Sequence, residues 1–453
     1  MLAGAWLVLV VYAYPGQLVT DSFEHLGEAR AHLYTDGHPP IIAALWHFVE
    51  LFIAGPFGML AIQSIGFLAG LHLTLTRTFA PRRAAWITAA IFLYPPVFVT
   101  FAVVWKDCLM AAALMLAIAG LTSTRRNAQL AALAAIWAAT AFRYNAVGAT
   151  FPLVLALFVL RAGRSRLERY ASAAGVWLVL TLAAFGANAL LTDRHMYYWS
   201  SSLGPFDIVG TLAHVHPDLP DAQLEQLLAG TQLLVHDKIH ARMRAVYDPD
   251  HSDPALVKSS TPLWQLPISG YEPAPKAQRD AIGRAWTETV TTWPSAYLRH
   301  RLGIMGQVLS ITRHRPKKAL TLRDFDSFDL AHSLGISTTW SATQRKLTHL
   351  VSFVLRRTPL FLPWLYLVIG LLLLPWTRRH RDVFALLASG LGLEATLVPL
   401  APTADYRYSH WMIVATVIAA VILVARRARE RAAPPAPPTG LLPQPPPHAY
   451  KGM

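Results

Sequence analysis

A succession of apolar runs, separated by short polar stretches, dominates the chain. The runs cover about 2–14, 58–77, 84–105, 108–122, 128–142, 146–161, 170–191, 358–376, 382–400 and 409–425. A run of roughly 20 apolar residues can span the hydrocarbon core of a bilayer. Only 15% of the 453 residues are charged, whereas soluble domains carry roughly 25%. We therefore predict an all-α polytopic membrane protein with about ten transmembrane helices.

Three runs depart from a simple span. The run 2–14 is short, and we interpret it as a first transmembrane helix with a shortened N-terminal end. A signal peptide would need a basic start and a small-residue cleavage site, and neither is clear. The run 41–54 carries His47 and Glu50 and predicts a juxtamembrane or re-entrant helix. Pro95 and Pro96 break the run 84–105, which predicts either a short span with an interfacial helix or a kinked span.

Arginine clusters between the runs set the expected orientation. With about ten spans they all fall on one side, which the positive-inside rule makes cytoplasmic. They comprise Arg77, Arg82 and Arg83; Arg125 and Arg126; Arg161, Arg164, Arg166 and Arg169; Arg378, Arg379 and Arg381; and Arg426, Arg427, Arg429 and Arg431. The net charge of +14 is thus explained by topology, and nucleic acid is not an expected partner.

This topology divides the chain into four parts. Residues 1–191 form an N-terminal transmembrane module whose first outer loop covers about 15–57. Residues 192–357 form a mainly helical extracytoplasmic segment, in which 291–310 predicts an interfacial helix returning to the membrane. Residues 358–425 carry the C-terminal transmembrane helices. Residues 426–453 form a basic and then Pro-rich cytoplasmic tail.

The outer loops collect the charged residues that could carry chemistry. Cations are normally scarce in short outer loops, and charges at the membrane edge suggest a functional site. An anionic lipid headgroup is the natural partner for such cations. The candidates are Asp21, Glu24, Glu28, Arg30, Asp36 and His38; Lys106 and Asp107; Arg143; and Asp405, Arg407 and His410.

Asp21 has two interpretations. It could be the N-cap of a helix near 22–32, with Glu24 completing a capping box. It could also be a general base at the membrane surface, with Glu24 on the same helical face. The residues alone leave both interpretations open.

The other candidates also have ordinary structural explanations. His38 could be solvated in an extended turn before two prolines, and Asp107 could cap the helix that follows it. Arg143 could snorkel to the interface, and Arg407 could belong to an aromatic belt with its neighbouring tyrosines. Their placement on one side favours a common site.

No cofactor is predicted. Asp21, Glu24, Asp36 and His38 leave a divalent metal possible, but no ligand spacing such as H-E-x-x-H is present. The lone cysteine, Cys108, lies at the start of an apolar run, where inert packing is expected.

The order of these motifs resembles a known superfamily. The stretches "TDSFEHLGEA", "DGHPPIIAALW", "WKD", "RYNA" and "DYRY" are similar to those of polytopic GT-C glycosyltransferases. The resemblance is to the bacterial members akin to protein mannosyltransferases and lipid A aminoarabinose transferases, and it covers about residues 1–190 and 350–425. Asp21 and Glu24 are spaced by three and so depart from the superfamily's "D-x-D" or "D-E" forms.

The resemblance implies an enzyme of the bacterial inner membrane that works at its periplasmic face in cell-envelope glycosylation. The donor would be a polyprenyl-phosphate-linked sugar, and the acceptor a glycan, lipid or protein. Asp21 would be the catalytic base, with Glu24 beside it, and a single displacement by one base predicts inversion at the anomeric carbon. The expected substrate-binding residues are His38, Lys106, Asp107, Arg143, Tyr144, Asp405, Arg407 and Tyr408.

Three rival functions remain open at this point. A lipid-linked glycan polymerase or ligase would carry its cations mainly in a large late outer loop. A transporter or flippase would show inverted repeats, which we do not find. A non-catalytic assembly protein would bind a lipid-linked sugar without turning it over.

Overall fold

The computed structural model describes residues 1–158, 165–232, 238–256, 263, 273–311, 328–337 and 339–432. Within these ranges the protein is all-helical, with isolated β-bridges but no β-strand. The N-terminal helices are α1 (Leu2–Ala13), α2 (Thr20–Ala31), α3 (Pro40–Glu50), α4 (Phe57–Leu75), α5 (Pro81–Phe92), α6 (Pro95–Phe101), α7 (Lys106–Leu121), α8 (Arg126–Phe142), α9 (Val147–Leu157) and α10 (Arg166–Leu191).

The second half of the chain begins with the predicted outer segment. Its helices are α11 (Gly204–Ala213), α12 (Asp221–Leu227), α13 (Ile239–Val246), α14 (Asp253–Leu256), α15 (Lys276–Thr292), α16 (Pro294–Val308), α17 (Phe328–Ser333) and α18 (Ala342–Arg357). The last helices are α19 (Pro363–Leu373), α20 (Arg381–Leu400) and α21 (His410–Ala432). A 3₁₀ turn, Tyr406–Ser409, immediately precedes α21.

Several helices are apolar enough to lie in a membrane. Among the described residues, four are also long enough to cross one: Phe57–Leu75, Arg166–Leu191, Arg381–Leu400 and Tyr406–Ala432. The pair α5 and α6 would make a fifth span. Only 17% of the apolar window of α10 is buried inside the protein, so most of it is available to lipid. The protein is therefore a helical membrane protein, and the number of about ten spans stays a prediction.

Prolines mark where several helices begin. Helices α3, α5, α6, α16 and α19 each have a proline in their first turn, where the missing N–H costs no hydrogen bond. Pro95 starts α6 at an angle of 73° to α5, which confirms the predicted break. Pro294 likewise starts α16 two residues after α15 ends at Thr292. The helix predicted within 291–310 corresponds to α16, and its place at a membrane interface stays a prediction.

The apolar side chains form two buried clusters. The larger one runs through the helices of the N-terminal and C-terminal thirds of the chain. The smaller one lies in the outer segment, where α11 packs against α13, α15 and α16 and every residue of α11 is buried. Arg161, Arg164 and the Pro-rich tail from residue 433 lie outside the described residues.

Candidate functional site

Charged residues gather at two opposite ends of the helix bundle. At one end, Arg77 donates hydrogen bonds to the carbonyls of Ala119 and Thr122, and Arg426 of α21 pairs with Asp382 of α20. We call this the arginine end. The other ends of α7 and α21 carry Lys106 and Arg407, and the 16 residues of α7 separate the two ends by about 24 Å.

The opposite end holds a connected group of side chains, which we call the acid–base cluster. It contains nine of the ten predicted site residues: Asp21, Glu24, His38, Lys106, Asp107, Arg143, Asp405, Arg407 and Tyr408. These residues come from four separate outer segments of the sequence. Their convergence at one end agrees with the predicted placement.

Asp21 lies at the centre of the cluster. Its carboxylate is 2.9 Å from the Arg407 guanidinium, 3.4 Å from Lys106 Nζ and 3.9 Å from His38 Nε2. Helix α2 begins at Thr20 and its N-cap is Val19, so the alternative in which Asp21 is the N-cap is wrong. The Ser22 hydroxyl takes the capping role, accepting from Val19 N at 3.3 Å, and Asp21 stays available to the cations.

His38 connects Lys106 to Glu24. Its Nδ1 is 2.7 Å from Lys106 Nζ, and its Nε2 is 3.2 Å from Glu24. A charged lysine can only donate, so we assign the tautomer in which Nδ1 accepts and Nε2–H faces Glu24. His38 is therefore a part-buried member of the cluster and not a solvated turn residue.

The segment before α7 is held in place by a buried glutamine. Gln63 of α4 donates to the carbonyls of Phe101 and Val103, at 3.0 and 2.7 Å. The Ser22 hydroxyl also donates to Val104 O at 2.7 Å. These bonds satisfy backbone groups that α6 and α7 leave unpaired, and they fix the start of α7 next to α2.

Arg407 is fixed by its own turn and by aromatic rings. Asp405 caps the 3₁₀ turn, accepting from Arg407 N, and its carboxylate lies 3.0 Å from Arg407 Nε. The guanidinium lies 4.7 Å from the centre of the Trp105 ring and 5.5 Å from that of Tyr408. Arg407 is only 7% exposed, so an interfacial belt does not describe it. Within the described part of the chain, its Nη1 has no hydrogen-bond partner.

Arg143 is the third Lys or Arg side chain of the acid–base cluster. It pairs with Asp107, donates from Nε to Asn145 at 2.7 Å and lies over the Tyr408 ring at 4.9 Å. Both members of the ion pair are buried, so Arg143 does not snorkel. The predicted cap by Asp107 is also wrong, because α7 begins one residue earlier and its N-cap is Trp105.

Tyr144, the tenth predicted site residue, lies outside the cluster, and so does Asp36 from the wider set of charged candidates. Tyr144 is 38% exposed and packs edge-on against Phe185. Asp36 accepts from Met196 N and pairs with His195 at 2.8 Å, so it ties the first outer loop to the chain after α10. In the ranges that the structure describes, no group of three His, Cys, Asp or Glu side chains is arranged to hold a metal ion.

The charges in the cluster are nearly balanced. Four carboxylates face three Lys and Arg side chains, and each cation already has a carboxylate partner. Burial raises the pKa of Asp21, but the charges of Arg407 and Lys106 outweigh burial and hold it well below its usual range. An anionic ligand would therefore have to compete with carboxylates for the cations.

The sequence analysis missed three residues at this site. His25 lies one turn after Asp21 on α2, and that spacing of four could have revealed it. Trp105 immediately precedes Lys106 and stacks on Arg407. Glu394 is a buried acid within the apolar α20 and accepts from the Ser409 hydroxyl at 2.8 Å. An acid inside an apolar run was the available signal.

A small, partly open cavity adjoins Asp21. Its room is about 10 Å³, and its lining includes Asp21, His25, Lys106 and the rings of Trp46 and Trp105. A space of this size holds about one water-sized group. The cavity lies on the His25 side of Asp21.

Comparison with known proteins does not assign this site. No protein-family model matches the chain, no curated protein matches it, and no solved structure matches it. Any functional conclusion therefore rests on the site's own geometry and chemistry.

Proposed function

We propose that the protein is an inverting glycosyltransferase that moves a sugar from a polyprenyl-phosphate donor to an acceptor hydroxyl. The observation that carries this proposal is the acid–base cluster around Asp21, at one end of a membrane-embedded helix bundle and opposite the arginine end. A lipid-linked substrate would present its headgroup at such an end. The resemblance to GT-C glycosyltransferases supports the same reaction.

The reaction is a single displacement. The acceptor oxygen forms a bond to the anomeric carbon while the bond from that carbon to the phosphate oxygen breaks. The hydroxyl proton passes to the Asp21 carboxylate, and the electron pair of the broken bond leaves with the polyprenyl phosphate. Fixed cations stabilise the charge that develops on the leaving phosphate.

The existing ion pairs suggest how the donor would activate Asp21. A phosphate oxygen would take up the unpaired Arg407 Nη1 and compete with Asp21 for Arg407 and Lys106. Neutralising those cations would raise the pKa of Asp21 and make it a better base. In the free protein Asp21 is too strongly stabilised as an anion to be a good base.

The proposal also carries the finer expectations from the sequence. About ten spans would place the arginine end in the cytoplasm and the acid–base cluster at the periplasmic face of a bacterial inner membrane. Glu24 would act through His38, which it contacts at 3.2 Å. The donor sugar would be a hexose or pentose.

The test is turnover of synthetic donors by the purified protein in lipid nanodiscs. A panel of polyprenyl-phosphate hexoses and pentoses would be incubated with the protein, and released polyprenyl phosphate would be quantified. We expect Asp21→Asn to lower the rate about 10²–10⁴-fold, because it removes the base.

Asp36→Asn is the matched control. Asp36 belongs to the same loop, but it contacts His195 and Met196 instead of the cluster, so its variant should keep most of the activity. Full activity of Asp21→Asn would remove Asp21 as the base. Transport of the donor without cleavage would replace the proposal with a flippase function.

A further inference from the structure

His25 is a buried histidine whose ring nitrogens lack hydrogen-bond partners in the described ranges of the chain. The residue is 4% exposed, and neither ring nitrogen has a hydrogen-bond partner among the residues that the structure describes. The Asp21 carbonyl, one turn earlier, lies close enough only to favour the protonated ring. A buried polar atom without a partner costs about 1–3 kcal/mol. Such an atom therefore needs an explanation beyond packing.

The position of His25 suggests that explanation. Its ring lines the cavity beside Asp21 and lies 4.9 Å, centre to centre, from the ring of His38. Burial, together with His38 and Lys106, lowers the pKa of His25 well below its usual value, so the ring is neutral. A neutral imidazole offers one hydrogen-bond donor and one acceptor, which matches a hydroxyl group.

The other residues that line the cavity indicate which class of ligand it can bind. Asp21 and Lys106 both line the cavity, so their opposite charges offset each other, and Ile42, Trp46 and Trp105 give it apolar walls. The room inside it is about 10 Å³, which is enough for one water-sized group. The cavity therefore fits a single hydroxyl of a neutral molecule, while a phosphate would bind at Arg407, on the other side of Asp21.

We infer that this cavity is the acceptor subsite, in which His25 positions the hydroxyl that Asp21 deprotonates. This inference rests on the proposed function. The acceptor would insert one neutral hydroxyl, such as that of a sugar, into the cavity beside His25 and Asp21. His25 binds and orients this hydroxyl and takes no proton, since Asp21 receives it.

The first test is the stability of His25→Phe. Phenylalanine keeps the ring shape and removes the unpartnered nitrogens, so the thermal unfolding midpoint should rise or stay within about 1 °C of the parent. His72→Phe is the matched control, because His72 lies near the arginine end of α4 and its Nδ1 also has no partner in the described ranges. If the unfolding midpoint fell clearly in His25→Phe but not in His72→Phe, His25 would have a structural role and the inference would be overturned.

The second test separates acceptor from donor. Methyl glucoside serves as the acceptor probe, and polyprenyl-phosphate release is measured against its concentration. We expect His25→Phe to raise the KM for methyl glucoside roughly tenfold or more, the loss of about one good hydrogen bond. The KM for the donor should not change, and His25→Asn, which keeps a donor and an acceptor, should restore part of the loss. An unchanged KM for methyl glucoside would overturn the inference.

A binding measurement distinguishes failure of the acceptor-subsite inference from failure of the proposed glycosyltransferase function. Saturation-transfer NMR reports binding of methyl glucoside without any turnover. A signal that His25→Phe abolishes and His72→Phe retains would support the subsite even if no donor is cleaved. Donor turnover with equal methyl glucoside signals in both variants would keep the glycosyltransferase and remove the subsite.

Discussion

At the scale of single residues, the charge state of each carboxylate on α2 depends on whether a cation lies beside it. Asp21 lies within 3.4 Å of the cations Arg407 and Lys106, and its pKa is lowered despite burial. Glu28, two turns further along α2 than Asp21, has the opposite environment. Burial raises the pKa of Glu28 to about 7, although the hydrogen bond from Thr35 opposes the shift. Two acids of one helix thus differ in charge near neutral pH.

The raised pKa of Glu28 predicts that the stability of the protein depends on pH. Its pKa in the folded protein, about 7, is above its ordinary value of 4.5, so the unfolded chain ionises first as pH rises. The free energy of unfolding should therefore fall between about pH 4.5 and pH 7 on account of this group.

The thermal unfolding midpoints of the parent and of Glu28→Gln, measured from pH 5 to pH 8, check this prediction. The parent should lose stability relative to the variant as pH rises. Glutamine keeps the acceptor for the Thr35 hydroxyl, which lies 2.6 Å from the Glu28 carboxylate. A difference that is constant with pH would show that Glu28 has an ordinary pKa.

At the scale of elements, one helix crossing supports the cationic side of the cluster. Helices α9 and α20 pack closely where Gly148 meets Gly392, and a Cβ on Gly148 would come within 2.5 Å of the Gly392 carbonyl. The Asn145 amide, just before α9, donates to the Thr396 hydroxyl at 3.1 Å. Because Asn145 also accepts from Arg143, the crossing fixes the position of that arginine.

We expect Gly148→Ala to separate α9 from α20 and to lower both the unfolding midpoint and the rate of donor cleavage. Overpacking of this kind typically costs about 1–3 kcal/mol. Gly186→Ala in α10 is the control, since nothing lies within 4 Å of its added Cβ. Alanine favours a helix over glycine, so that variant should be neutral or slightly stabilising. Equal losses of unfolding midpoint and cleavage rate in Gly148→Ala and Gly186→Ala would contradict the role of the α9–α20 crossing.

At the scale of the whole molecule, the outer segment is attached to the loop that carries Arg407. Arg301 of α16 donates to the carbonyl of Ala401 at 3.0 Å. The Asp250 carbonyl accepts from Ala404 N and from the Thr403 hydroxyl, at 2.6 and 2.7 Å. These contacts hold residues 401–404 directly before Asp405.

Arg301 itself depends on a buried acid. Its guanidinium lies 2.6 Å from Asp207 of α11, which also accepts from Trp286 at 2.9 Å and contacts His300 at 3.1 Å. Asp207, His300 and Arg301 are each no more than 2% exposed. The attachment of the outer segment therefore rests on a buried ion pair.

Asp207→Leu should destabilise the protein by about 3–5 kcal/mol, because it leaves Arg301 buried without its counter-ion. The double variant Asp207→Leu with Arg301→Leu should recover part of that loss. Asp218→Leu is the control, since the Asp218–Arg244 pair is largely exposed and such pairs contribute about 0–1 kcal/mol. Thermal unfolding of the parent and the three variants measures these changes in stability. Equal losses of stability in Asp207→Leu and Asp218→Leu would contradict the prediction.

The sequence by itself determined the helical membrane class, the break at Pro95 and the predicted loop residues that form the cluster. These features follow from local properties: apolar run length, proline geometry and charge scarcity near the membrane. Only the tertiary structure decided that Asp21 pairs with Arg407 instead of capping α2, that Tyr144 faces away, and that His25 lines a cavity with Asp21. Those outcomes depend on contacts between residues far apart in sequence, such as the 2.9 Å pair between Asp21 and Arg407. No local pattern encodes which carboxylate reaches which cation, because helix packing sets those distances.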